Sequence, residues 1–229
     1  MAKQESPIAV YLEVGQQKTF AGALDWPGWC RSGRDEGSAL AALTEYAPRY
    51  AMLFARMKLT FAAPDDPDAF TIAERLDGNG TTDFGAPGIA PRQDAEPFDE
   101  AECERSEAIL AAIWRAFDHA IDAAEGRELR KGPRGGGRER DKIARHVLGA
   151  DAGYLRALGQ QFKQDDDAPL TDELKRTRKA IRAALVAAAH GEIPEHGPRG
   201  GTLWRPRYYV RRAAWHTIDH AWEIEDRIE

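Results

Sequence analysis

Residues 210–223 read VRRAAWHTIDHAWE, which predicts an amphipathic helix over about 206–229 that carries two histidines on one face. His216 and His220 are four positions apart, or about one helical turn, so both imidazoles leave the same side of the helix and can share one cation. Alanine, isoleucine and tryptophan occupy the other directions around the helix, so the histidine face borders a buried stripe. Two histidines at this spacing also occur by chance, so the pair alone is weak evidence for a metal site. A third ligand is needed to support one.

Three further helical segments precede this one, and strand signals stop at Phe98. Apolar residues recur at helical spacing over about 99–125, 138–160 and 171–190. Four amphipathic helices with short connections predict an all-α four-helix bundle over 98–229.

His146, in the second of these helices, is the candidate third ligand. It also borders an apolar stripe, and Gly149, Ala150 and Gly153 follow it one and two turns further along the same face. These small residues either leave open space beside the imidazole or allow close helix packing. Three neutral imidazoles suit Zn²⁺, Ni²⁺ or Fe²⁺ and leave a coordination position open for water or substrate.

Two carboxylates near the histidines are candidate catalytic residues. Glu223 shares the histidine face, and Asp219 lies beside it. A carboxylate in this position either orients a ligand imidazole or moves a proton during catalysis. The alternative for each residue is an ordinary surface salt bridge.

The sequence GPRGG occurs twice, at 132–136 and at 197–201, in two loops that each join a pair of helices. This repetition indicates two related helical hairpins, although glycine and proline also recur in loops for local reasons. Arg134 and Arg199 occupy the same place in the two copies. Either they belong to a basic end of the bundle that binds an anionic group, or they are simply solvated.

The first part of the chain has the periodicity of strands. Residues 8–13 and 19–24 alternate on either side of a turn and predict a β-hairpin, which 29–34 extends as a short third strand. A helix follows from Asp35, and a further strand is predicted at 70–76. The predicted domains are an α+β module at 1–76, a linker rich in Gly, Pro, Asp and Thr at 77–97, and the helical bundle at 98–229.

Residues 98–229 resemble the DinB-like, or YfiT-like, family of metalloenzymes. The matching stretches are IARHVLGADAGYL at 143–155 and VRRAAWHTIDHAWE at 210–223. The resemblance implies a four-helix bundle whose metal ligands are one histidine of the second helix and two of the last helix. In this chain those positions are His146, His216 and His220.

The DinB-like family includes thiol-dependent isomerases, transferases and hydrolases, in which the metal binds or activates a low-molecular-weight thiol. The resemblance therefore implies a divalent-metal-dependent enzyme with a small-molecule substrate. It also suggests a thiol cofactor whose carboxylates would contact Arg134 and Arg199. The alternative is a non-catalytic regulator in which the first domain binds a protein partner and the bundle is a scaffold or a metal sensor. His119, His190 and His196 match no ligand of the family and are expected to be structural or surface residues.

The sequence FAGALDWPGWCRSG at 20–33, followed by 36–40, looks like the HicB-like antitoxin domain. In that family two strands lead through a Pro-Gly turn into a third strand and a helix. The resemblance covers about 7–50 and implies a module that binds a protein partner or forms oligomers. True antitoxins usually add a DNA-binding segment, whose place the second domain takes here. The expected role of 1–76 is therefore dimerisation or the lining of a neighbouring active site, with the binding of a protein partner as the alternative.

Composition narrows the classes of partner. Lys plus Arg number 32 against 38 Asp plus Glu, and the net charge of -6 opposes binding of nucleic acid. Two cysteines far apart in sequence, Cys30 and Cys103, indicate reduced thiols. The N-terminus has no apolar signal core, and the longest apolar run, 181–189, is too short to cross a bilayer. We therefore expect a cytoplasmic protein that does not enter a membrane and that forms a homodimer.

Overall fold

The chain divides into two units, Met1–Ala95 and Glu96–Glu229. The computed structural model describes residues 7–55, 57–131 and 137–229. Cys30 and Cys103 are buried, and neither forms a disulfide. Within the described residues, no helix is long and apolar enough to span a membrane.

The first unit contains a four-stranded mixed sheet. Its strands are β1 Ile8–Val14, β2 Thr19–Ala23, β3 Cys30–Gly33 and β4 Phe70–Asp77. The order across the sheet is β3-β2-β1-β4, with β1 antiparallel to β2 and parallel to β4. The parallel pairing requires a crossover, because two parallel strands cannot be joined by a tight turn. Helices α1 Glu36–Glu45 and α2 Ala47–Ala51 lie in that crossover.

An aromatic cluster forms the core beside the sheet. Trp29 is fully buried, and its Nε1 donates a hydrogen bond to the carbonyl oxygen of Leu43 at 2.9 Å. The ring of Tyr50 lies 6.0 Å from that of Trp29 in a stacked arrangement, and its hydroxyl donates to the carbonyl oxygen of Pro27 at 2.8 Å. Gly28, between these residues, has a φ of 96°, which favours glycine. The Pro-Gly turn is therefore held from both sides by the core that it helps to form.

The segment that the sequence assigns to a linker is folded onto the sheet. Helix α3 Gly80–Phe84 lies within it, followed by a 3-10 turn at Arg92–Ala95. The buried carboxylate of Glu13 accepts hydrogen bonds from Thr82 Oγ1 and from the backbone amides of Gly88 and Ile89. The first unit consequently extends to Ala95 and does not end at 76, because a strand residue in the sheet holds this segment in place.

Four long helices make up most of the second unit: α4 Glu100–Ala123, α5 Arg140–Ala157, α6 Leu170–Ala189 and α7 Pro206–Arg227. Helix α4 packs against α6 and α7, and α5 packs against the same two helices. Fully buried residues along these helices include Ile109, Ile113, Phe117, Ile143, Leu148, Ile181, Leu185 and Ile218.

The fold class expected from the sequence, an α+β module followed by an all-α four-helix bundle, is corrected by the structure. The described residues form a mixed α/β chain in which a four-stranded mixed sheet and seven α-helices are distributed over the two units. Three of the helices belong to the first unit. The second unit is not purely helical, because isolated β-bridges pair Leu129 with Ile228 and His196 with Thr202. Helical periodicity does not reveal such single bridges, which depend on residues far apart in sequence.

The close approach of β1 and β2 provides a test of this packing. A Cβ atom on Gly22 would lie 2.5 Å from ring carbons of Tyr11, the residue paired with it across the strands. We expect Gly22→Ala to lower the free energy of unfolding by about 1–3 kcal/mol, because a buried ring must move to admit the methyl group. The measurement is the midpoint of urea denaturation. Gly80→Ala is the matched control, since its Cβ would meet nothing within 4 Å. Equal midpoints for the two variants would contradict this account.

Candidate metal centre

The three histidines selected from the sequence lie together in the structure. Helix α5 supplies His146, and α7 supplies His216 and His220 from successive turns. One ring nitrogen from each residue lies within 4.8 Å of the other two, and the group could hold a metal ion. The Nε2 atoms of His146 and His216 are 3.2 Å apart. The structure thus brings all three predicted ligands to one place.

One pair of ring nitrogens in this cluster has the separation expected for two ligands of a divalent transition-metal ion. Zinc–nitrogen bonds of about 2.0–2.1 Å at tetrahedral angles place two ligand nitrogens roughly 3.3 Å apart. The 3.2 Å between Nε2 of His146 and Nε2 of His216 is close to that separation. The donors are all imidazole nitrogens, which suit zinc, nickel and iron better than calcium or magnesium.

The protonation states also suit a metal. Burial, followed by the neighbouring imidazoles of His220 and His146 and the charges of Arg212 and Arg138, lowers the pKa of His216 to about 2. Burial is also the main reason why the pKa of His146 is lowered. Both rings are therefore neutral at pH 7 and keep a lone pair available, as a ligand must.

Glu223 contacts one of the ligands directly. Its Oε2 lies 2.7 Å from Nδ1 of His220, and its Oε1 accepts a hydrogen bond from Nη1 of Arg227 at 2.7 Å. The hydrogen bond with His220 is the largest of the causes that lower the pKa of Glu223. A carboxylate on Nδ1 keeps the proton there and leaves Nε2 free to bind a metal. Of the two roles considered for Glu223, the contact favours orientation of a ligand.

The contacts of Glu223 continue to the connection between α4 and α5. Arg227 Nε donates to the carbonyl oxygen of Arg130 at 2.8 Å, and the backbone amide of Arg130 donates to the carbonyl oxygen of Arg227 at 2.7 Å. The single bridge between Leu129 and Ile228 lies beside these bonds. The end of α7 is thereby attached to the backbone of a distant segment.

The other residues proposed from the sequence lie apart from this contact. Asp219 lies between the two α7 ligands in sequence and is half-buried, and its catalytic role remains a prediction. Arg134 lies outside the described residues. Arg199 is exposed and lines a cavity of about 460 Å³ together with Leu203 and Trp204. His119, His190 and His196 are exposed and do not belong to the cluster.

Two aromatic rings connect the cavity at Arg199 with the histidines. The rings of Trp204 and Tyr154 are 5.2 Å apart, and the rings of Tyr154 and His216 are 5.9 Å apart. The structure therefore does not place Arg199 in contact with the histidine cluster, and a ligand in this cavity would be separated from it by these rings.

Asp151 is a buried acid of α5 that the sequence analysis did not select. It is 4% exposed, and its Oδ1 has no hydrogen-bond partner among the described residues. Burial raises its pKa to about 7, although the charge of Arg178 acts in the opposite direction. Asp151 lies at helical spacing from three apolar residues, Ala144, Leu148 and Leu155. A charged residue within an apolar stripe is the sequence pattern that could have identified it.

No family model, curated protein or solved structure matches the chain. The resemblances to the DinB-like and HicB-like families therefore stay proposals.

The contact between Glu223 and His220 leads to an expected change in metal affinity. We expect Glu223→Ala to weaken zinc binding by about 10- to 100-fold, because His220 loses the group that holds its ring and its tautomer. Glu223→Gln should have a smaller effect, since the amide oxygen can still accept from Nδ1. Competition with a chromophoric chelator measures the affinity. The control is Glu104→Ala, an exposed glutamate of α4. Similar affinities for Glu223→Ala and this control would exclude the orienting role.

The buried Asp151 leads to an expected pH dependence of stability. Its pKa is about 7 in the folded chain, against an ordinary value of 3.8. Between pH 3.8 and pH 7 the carboxyl is therefore protonated in the folded state and ionised in the unfolded state. The stability of the parent therefore falls as the pH rises from about 4 to about 7, by about 4 kcal/mol for this residue. Asp151→Asn removes that loss, because the amide is neutral at every pH.

We measure the melting temperatures of Asp151→Asn and of the parent in the presence of a chelator. The difference between them, variant minus parent, should increase by several degrees from pH 5 to pH 8. Asp122→Asn, an exposed acid of α4, is the control and should follow the parent. A difference between Asp151→Asn and the parent that is constant with pH would show that Asp151 is ionised in the folded chain throughout.

Proposed function

We propose that this chain is a divalent-metal-dependent enzyme acting on a small-molecule substrate, with His146, His216 and His220 as the metal ligands. The observation that carries the proposal is the convergence of three imidazoles from two helices, with ligand nitrogens within 4.8 Å of one another. The reaction class that we infer is that of the thiol-dependent transferases, isomerases and hydrolases of the DinB-like family, which residues 98–229 resemble. We propose a cytoplasmic location for this enzyme.

The number of ligands favours catalysis over a structural role. Structural zinc sites use four protein ligands, whereas catalytic sites use three and leave a position for water or substrate. The group found among the described residues contains three ligating side chains. A zinc, nickel or iron ion held there would supply Lewis acidity and lower the pKa of a coordinated water or thiol.

The surrounding residues of this chain would hold the ligands and admit the substrate. Glu223 orients His220, and the burial of His216 keeps its imidazole unprotonated. A Cβ added at Gly153 would be in ordinary contact with Nη2 of Arg156 at 3.9 Å, and one at Gly149 would lie 3.3 Å from Oε1 of Gln164, so these glycines do not border open space. His146 and His220 are each half-buried, which leaves part of the site open to a substrate.

A thiol cofactor is part of the proposal but has less support. The cavity of about 460 Å³ beside Arg199 is large enough for part of a small molecule, and a guanidinium at its edge suits a carboxylate. The rings of Trp204 and Tyr154 lie between this cavity and His216, so a cofactor bound there would have to reach past them.

A second candidate function is a regulator or metal sensor whose first unit binds a protein partner or forms a homodimer. The observation that favours it is the exposure of large apolar side chains in that unit, Met52 at 68% and Phe84 at 89%. The two candidates differ in the coordination of the metal. A water ligand indicates an enzyme, and a fourth protein ligand indicates a structural or sensing site.

The proposal is tested first by elemental analysis of the untagged protein. We expect about one equivalent of zinc, nickel or iron in the parent and none in a triple variant with His146→Ala, His216→Ala and His220→Ala. A second triple variant with His119→Ala, His190→Ala and His196→Ala is the matched control and should keep the metal, because these three histidines are exposed and lie outside the cluster.

Absence of metal from the reconstituted parent, or equal metal in the two triple variants, would overturn the proposal. If metal is bound, X-ray absorption spectroscopy distinguishes the enzyme, with a water ligand, from the sensor, with a fourth protein ligand. A screen for thiol-dependent turnover then tests the reaction class.

A further inference from the structure

Arg212 lies one helical turn before His216 on α7 and is held between aromatic rings. Its guanidinium carbon is 5.1 Å from the centre of the Trp215 ring and 5.6 Å from the centre of the Tyr154 ring. Its Nη2 also donates to the hydroxyl of Tyr154 at 3.3 Å. Contacts of a guanidinium with two ring faces fix its position more closely than a solvated arginine would be fixed.

Tyr154 connects this arginine with the histidine cluster. Its ring lies 5.9 Å from the ring of His216, in an edge arrangement. Burial raises the pKa of the Tyr154 phenol, so the hydroxyl keeps its proton at neutral pH and can donate it to a ligand while accepting from Arg212. Two hydrogen-bond donors, one of them a cation, therefore lie next to the histidines.

The charges near the cluster favour an anion. Arg212 carries a positive charge one helical turn before His216, and its guanidinium lies 5.6 Å from the Tyr154 ring that contacts this histidine. Glu223 offers the opposite charge, but Arg227 is paired with it. A divalent ion bound by the three imidazoles would add two further positive charges. An anionic ligand would therefore be stabilised there, and a cationic one repelled.

The side chains at this level are not closed off from solvent. Tyr154 and Arg212 are each half-buried, as are His146 and His220. Arg212 reaches the same level of α5 through its bond to the Tyr154 hydroxyl. A ligand can thus approach the histidines from the side on which Arg212 and Tyr154 offer their donors.

We propose that Arg212 and Tyr154 form an anion subsite beside the metal centre, and that it binds a carboxylate of the substrate. The planar guanidinium presents two parallel N–H donors, which match a carboxylate better than a linear or single-atom anion. This inference rests on the metal-dependent function proposed above, and it names the substrate class as a small carboxylic acid.

The experiment uses the full chain loaded with Co²⁺, whose visible absorption reports ligands entering the metal site. Acetate and thiocyanate are titrated separately into the parent and into Arg212→Met, Arg212→Lys and Tyr154→Phe. Cobalt content and thermal melting are measured for each protein. The matched control is Arg182→Met, since Arg182 of α6 is exposed and its guanidinium carbon lies 5.4 Å from the centre of the Trp114 ring on α4.

We expect Arg212→Met to raise the Kd for acetate at least tenfold and the Kd for thiocyanate less than threefold, with one Co²⁺ still bound. Arg212→Lys should give an intermediate Kd for acetate, because it keeps the charge but loses the paired donors; it also serves if the methionine variant does not fold. Tyr154→Phe should raise the Kd for acetate by a smaller factor, and Arg182→Met should match the parent.

An acetate Kd within threefold of the parent in the Arg212 variants would overturn the subsite, as would an equal loss of thiocyanate binding. Failure of the parent to bind cobalt would overturn the metal-dependent function and the subsite with it. The two failures are distinguished by the cobalt content.

Discussion

The site in the second unit depends on the burial of His216. An imidazole removed from water is costly to protonate, and its Nδ1 has no hydrogen-bond partner among the described residues. The ring is therefore held as a neutral base directed at Nε2 of His146, at 3.2 Å. This arrangement requires α5 and α7 to pack with one relative register, since a shift of either helix by one residue would turn its histidine away. A bound cation would offset the cost of this burial.

Local sequence was sufficient for the features that repeat with the helical turn. The pair His216 and His220 follows from their spacing on α7, and Glu223 from its position one turn after His220. The selection of His146 depended on an apolar border and on a family resemblance, because nothing in the sequence states which faces of α5 and α7 meet. Asp151 has a similar sequence pattern, because it is a charged residue in an apolar stripe. The sequence alone does not indicate whether such a carboxyl group is protonated.

Features that depend on residues far apart in the chain could not be predicted from local sequence patterns. The placement of β4 parallel to β1 depends on a crossover that contains two helices, and alternation along β4 does not identify its neighbour. The segment after β4 has the composition of a linker, yet Glu13 holds it by three donors. Glu13 and Asp151 show two solutions to the burial of a carboxyl group: the first is satisfied by hydrogen bonds, and the second binds a proton.

The attachment of Arg227 to the backbone of Arg130 makes the metal centre part of a larger equilibrium. Glu223 holds His220, Arg227 holds Glu223, and the bridge between Leu129 and Ile228 closes beside them. If a metal binds at His220, its binding and the closure of this bridge would be coupled, and thermodynamic reciprocity would require each to favour the other by the same free energy. The order of the end of α7 would then report whether a metal occupies the site at His220, about two helical turns earlier in the chain.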